Sequence, residues 1–148
     1  MALIENKKAR FNYEIIEKYE AGIELLGVEV KSLRAKHGSL EGSHIVVRGG
    51  EAFLVGSTIQ PYQAGNSKES YDPNRNRRLL LTKKELTLLA DYESKKGLTI
   101  VPIAVYNKKR KLKIEIAVVR GKKTRDKRES LKKREAERDI LRDIKGTR

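Results

Sequence analysis

At 148 residues, with no cysteine, the chain has material for one modest core, and disulfides and thiolate metal sites are excluded. Its 34 Lys and Arg against 20 Asp and Glu give a net charge of +14, and the isoelectric point near 10.0 makes phosphate-bearing nucleic acid the expected partner. No stretch approaches the roughly 20 apolar residues of a membrane span or forms the apolar face of an interfacial helix, and residues 1–4 are too short for a secretion signal. A cytoplasmic protein without membrane association is expected.

Phe11, Tyr13 and Ile15 alternate with Asn12 and Glu14 as in a β-strand, and Ile23 and Leu25 continue the style between Gly22 and Gly27. Residues 28–34 are ambiguous: Val28 and Val30 alternate, but Val30 to Leu33 also spans one helical turn. His44 to Arg48 and Glu51 to Val55 flank Gly49 and Gly50, the signature of a hairpin whose turn needs positive φ at both central positions. Residues 60–78 read as irregular, with Asp72 and Pro73 suited to open a type I turn. Thr82 and Glu85 form a capping box for a helix that buries Leu86, Leu89 and Tyr92, with Gly97 as its left-handed stop. Leu98 to Tyr106 is a nearly continuous apolar strand whose Pro102 predicts an edge position or a bulge. Residues 107–111 turn the chain into a last strand marked by Leu112, Ile114, Ile116 and Val118. Short strands with one capped helix before a final hairpin predict a mainly β protein, a small OB-type closed barrel with one or two flanking helices.

The body is expected to span residues 1–120 and to be followed by a basic tail, 121–148. The tail carries +6 of the net charge and only Leu131, Ala136, Ile140, Leu141 and Ile144 as aliphatic side chains beyond glycine. So little apolar surface does not offset the entropy of ordering, so the tail is expected to be disordered when free. Its helix formers suit ordering against a charged partner; a solvated solubility tail is the competing reading.

Catalysis is not expected. His37 and His44 have no neighbours that complete a triad or a zinc set, and Gly121, Lys122, Lys123 and Thr124 lack the spacing of a phosphate loop. No catalytic residue, metal or cofactor is assigned. RNA is the better reading of three basic clusters: Lys7, Lys8 and Arg10; Arg75, Arg77 and Arg78; and the tip 108–111. Tyr13, Tyr19, Tyr62, Tyr71 and Tyr106 offer faces on which unpaired bases stack, or else pack in the core with a wet hydroxyl.

A series of separated motifs runs in one order: Asn6 to Arg10, Glu20 to Ile23, Gly27 to Arg34, Asp72 and Pro73 with Arg75, Arg77, Arg78 and Leu79 to Leu81, then Gly121 to Lys123 and Asp126 to Arg128. This series closely resembles the small protein B family, the SsrA-binding proteins of bacterial trans-translation. The resemblance implies an OB-fold body that binds the tRNA-like part of transfer-messenger RNA and brings it to stalled ribosomes. It implies a tail that becomes helical in the empty mRNA path and a short helix over residues 28–34; separately, a monomer is expected. It also implies an RNA-binding surface of Asn6, Glu20, Leu80 and Lys113; the cations Lys7, Arg10, Lys31, Arg75 and Arg77 are further RNA-binding candidates. Glu20 fits such a surface as an acceptor from a base or 2′-hydroxyl, or as the orienter of a cation; Leu80 either covers a base or fills the core. Gly121, Lys122 and Lys123 are the implied hinge, and Arg125, Asp126, Lys127 and Arg128 the start of the ribosome-reading segment. Arg125 departs from members with a ring-bearing residue there, and its planar guanidinium can still stack on a base. A ribosomal OB protein bound permanently to rRNA and an RNA-processing enzyme are the rivals.

Overall fold

The computed structural model describes residues 2–61 and 71–121. Seven strands and three short helices follow one another as β1 (Ala2–Glu5), α1 (Lys7–Asn12), β2 (Tyr13–Ile23), α2 (Gly27–Arg34), β3 (His44–Arg48), β4 (Glu51–Val55), β5 (Arg77–Leu80), α3 (Lys83–Ser94), β6 (Leu98–Lys108) and β7 (Lys111–Gly121). All strand pairings are antiparallel, in the order β1-β6-β3-β4-β5-β2-β7, with β7 pairing β6 as well. The inward positions of these strands make one core, with Leu33, Leu54, Ile100, Ile114 and Val118 among its members and Leu89 inserted from α3. The mainly β expectation holds.

Both hairpins close on two-residue turns. Gly49 and Gly50 have φ of 60° and 77°, as the glycine pair requires. The second turn is tighter than its sequence suggests: both strands run to the tip, and Lys109 and Arg110 alone make it, at φ of 49° and 68°. Residues with a Cβ rarely adopt this conformation, so nothing local marks which two residues within 107–111 form the tip. The 72–75 turn forms, with the Arg75 N–H donating to the Asp72 carbonyl at 3.2 Å. The Thr82–Glu85 capping box also forms, with the Glu85 N–H donating to Thr82 Oγ1 at 3.2 Å. The helix it starts ends at Ser94, and left-handed Gly97 serves the turn into β6 rather than the cap itself.

The helices differ from expectation in number. The 28–34 ambiguity resolves as α2. A third helix, α1, takes Phe11, whose alternation with Tyr13 and Ile15 misled: the strand starts only at Tyr13. Helix formers at 7–10 and the burial of Ala9 favour the helix. Ala9 caps a second small core of Val101, Ile103, Ala117 and Val119 on the outer face of the β6–β7 ladder.

Pro102 marks a bulge. It faces Ile116 and Ala104 faces Glu115, leaving Ile103 as the extra residue. The carbonyls there are taken by Asn6: its N–H donates to Ile103 O at 2.7 Å and its Nδ2 to Pro102 O at 3.0 Å. One extra residue exchanges the faces of everything beyond it, so Val101 and Ile103 pack under α1 while Tyr106 and Lys108 also point outward.

Candidate nucleic-acid interface

Beyond the ground covered by α1, the outer face of the sheet carries a row of directly paired residues: Leu80 opposite Gly22, Gly22 opposite Lys113, and Lys113 opposite Tyr106. One step along, Glu20 pairs with Glu115 and lies on the same face. The Tyr106 hydroxyl donates to Glu20 Oε2, and Lys108 Nζ donates to both carboxylate oxygens at 3.0 and 3.3 Å. The Tyr106 hydroxyl first, then the Lys108 ammonium, hold the Glu20 carboxyl below its ordinary value, while burial and Glu20 push the Tyr106 phenol well above its own. Glu20 thus orients a ring and a cation, one of the roles open to it in the sequence. Lys7 continues the strip: it lines a hollow of about 420 Å³ together with Asn6, Tyr106 and Glu115.

The structure therefore brings Lys7, Glu20, Leu80 and Lys113 to one face. Leu80 belongs to the surface, 48% exposed, whereas Leu79 fills the core. It lies directly over Gly22, where an added Cβ would come within 3.1 Å of Leu80 Cβ. Asn6 borders the strip and is only 8% exposed, and its Nδ2 donates to the Pro102 carbonyl, so in this fold it braces the bulge beside the strip. Lys31 stands exposed on α2, and Arg10 lies on α1. Gly121 ends β7 opposite Tyr13, still paired at a position expected to be a hinge, and about 27 Å along the strand from Lys113. Tyr62 and Lys122, Lys123, Arg125, Asp126, Lys127 and Arg128 lie outside the described residues.

Arg75 and Arg77 do not join this face, and for Arg77 the RNA-binding expectation is corrected. Its side chain is fully buried, with Nε and Nη2 on Glu29 Oε2 at 3.0 and 2.7 Å, Nη1 on Ser57 Oγ at 3.1 Å and Nη2 on Pro73 O at 2.9 Å. Arg75 grips the same carboxylate through Nε and Nη2. Tyr71 donates to it at 3.0 Å, which makes this tyrosine a structural hydroxyl, and the Leu26 N–H donates at 2.8 Å. Burial opposes the charge on Glu29, but the bonds from Arg75, Leu26 and Arg77 outweigh it and hold the carboxyl below its ordinary value. Sequence reasoning assigned no role to Glu29, which sits within an apolar-to-basic run with no local sign of its partners about 45 residues on.

The family model described as SmpB protein matches residues 3–146. The chain belongs to this family. Its relatives include the SsrA-binding protein of Gloeothece citriformis, 47% identical over 97% of this chain and 92% of that protein, and that of Lactobacillus delbrueckii subsp. bulgaricus, 47% identical over 95% and 91%. A solved structure described as "tmRNA-SmpB: a journey to the center of the bacterial ribosome" aligns with a TM-score of 0.71 at 43% identity, covering 86% of this chain and 93% of that one.

Proposed function

We propose that this protein binds the tRNA-like domain of transfer-messenger RNA (SsrA RNA) and delivers it to stalled ribosomes for trans-translation, with residues 121–148 probing the empty mRNA channel. The observation that carries the reading is the strip on which Lys7, Glu20, Lys113 and Leu80 meet; the names of the relatives and of the solved complex point to the same RNA. The body acts as an OB-type closed barrel. The pairing of β7 with β6, at the far end of a strand order that also contains β6, supports closure. Lys113 and Lys7 neutralise phosphate, and Tyr106 and Leu80 offer surfaces to unstacked bases. The Glu20 carboxylate holds Lys108 and Tyr106 in place, which removes the repulsion a bare carboxylate would exert on a phosphate backbone. This is a binding role without catalysis, exercised in the cytoplasm by a monomer. The tail orders only against rRNA phosphate, its cations facing the channel wall.

Titration of the full chain against the tRNA-like RNA and against an unrelated rRNA hairpin tests the reading. At least tenfold tighter binding to the former is expected, and equal affinity for both would favour a general rRNA-binding protein instead. Truncation after Gly121 is expected to leave that affinity within about threefold while abolishing peptide tagging; a large loss of RNA affinity would refute the division of labour.

A further inference from the structure

Beside the strip, a hollow of about 320 Å³ opens between α2, the end of β5 and the Lys109–Arg110 turn. Leu25, Val30 and Leu80 are among its apolar lining side chains, and Arg34, Arg110, Lys111 and Lys113 line it as well. No carboxylate lines it, and among the described residues none of the four cations makes an ion pair. The shape is held from two sides. Arg34 Nη2 donates to the Arg110 carbonyl at 3.2 Å and so ties the end of α2 to the hairpin tip, while Gly22 lets Leu80 settle over β2.

We infer that this hollow receives one unpaired nucleobase of the bound RNA. The inference rests on the RNA-binding reading and adds a subsite with its own occupant. Apolar side chains beside four cations that make no ion pair among the described residues suit a ligand with a flat uncharged body and anions attached a few ångströms away, which describes a nucleotide turned out of its stack. The volume is at the lower end of small-ligand sites, about 300–1,000 Å³, and so fits a single base. The guanidinium groups of Arg34 and Arg110 stack on the ring, and Lys111 and Lys113 meet the phosphates on either side of it. Leu80 and Lys113 belong to both the hollow and the strip, so a strand lying along the strip reaches the hollow without leaving the protein surface.

The test uses the full chain and the tRNA-like RNA, with 2-aminopurine placed at one unpaired loop position at a time; this base brightens on leaving the stack. Emission is expected to rise several-fold at one position upon binding. Leu80→Ala and Arg34→Gln should each cut the rise by more than half, and Arg78→Gln, whose side chain is paired elsewhere, should leave it unchanged. Leu80 and Arg34 are both exposed, so the variants should fold, and thermal melts confirm that they do. Bound RNA that brightens at no position, or a rise that survives in both variants, overturns the base pocket while leaving RNA binding intact. Absence of any binding by the unaltered chain would remove the RNA-binding reading and the pocket with it.

Discussion

Two groups of cations of similar size stand at the two ends of α2, and they do opposite work. Around its first turn, Arg75 and Arg77 converge on Glu29, and nearby Arg78 reaches Glu24 and Glu51. At its last turn, Arg34 lies beside Arg110, Lys111 and Lys113, with no carboxylate among them. The first group is neutralised and structural. The second keeps its charge for a ligand. Counting basic residues along the chain does not separate the two; the positions of three glutamates do.

The sharpest way to break the comparison is to remove the carboxylate that neutralises the first group. Glu29→Ala leaves Arg77 buried without its counter-charge, and truncating one partner of a buried ion pair costs about 3–5 kcal/mol. A fall in Tm of roughly 10–20 °C is expected, at about 2–4 °C or more per kcal/mol for a chain of this size. A loss under 1 kcal/mol in denaturant melts would show that the network is not structural. The same carboxylate sets an acid limit. Its folded pKa lies below the unfolded one, so the unfolded chain binds more protons between the two values and stability rises with pH there. The contribution is complete above the ordinary glutamate value, about 4.3, and is lost as pH falls through the depressed folded value. The Tm of the unaltered protein should therefore drop steeply below about pH 4, and that of Glu29→Gln should be flatter over the same window.

The second group should answer to the opposite measurements. Lys113→Gln is expected to weaken RNA binding about tenfold at low salt and to flatten the slope of log affinity against log salt by about one unit, with stability within about 0.5 kcal/mol. An unchanged slope would mean that Lys113 meets no phosphate. Gly22→Ala is a milder probe of the same face. The added Cβ sits 3.1 Å from Leu80 Cβ, so Leu80 must shift by a few tenths of an ångström. Affinity should fall by about two- to fivefold, under 1 kcal/mol, and identical affinity would show that the seating of Leu80 is immaterial.

What the chain declares about this arrangement depends on how local each device is. The glycine pair at 49–50 and the Thr82–Glu85 box are short-range signals, and both elements form where expected. Strand β5 was hidden because one of its two inward positions is Arg77, so its alternation reads as a polar loop. The second hairpin was legible from the apolar runs on either side of residues 107–111, but its two-residue tip at Lys109–Arg110 was not, because the core-facing registers of β6 and β7 impose it. The same limit applies to the interface. Lys113 and Leu80 were legible through family likeness, but their alignment with Gly22 and Tyr106 is a matter of register across four strands. The bond that Asn6 makes to the Pro102 carbonyl depends on a bulge almost 100 residues further along.

The smallest effect belongs to the residue that looks most like a nucleic-acid contact. Arg78 points outward from β5, next to Leu80, and a basic side chain there invites assignment to the interface. Its guanidinium lies 3.1 Å from Glu24 and 3.4 Å from Glu51, both themselves exposed, so its charge is already balanced at the surface. Exposed pairs of this kind contribute about 0–1 kcal/mol. Arg78→Gln should therefore change stability by no more than about 0.5 kcal/mol and leave the salt slope of RNA binding where it was. Should the slope flatten by a full unit, as for Lys113, the glutamates would not be enough to withhold Arg78 from phosphate, and the division between the two ends of α2 would have to be redrawn with Arg78 on the ligand side.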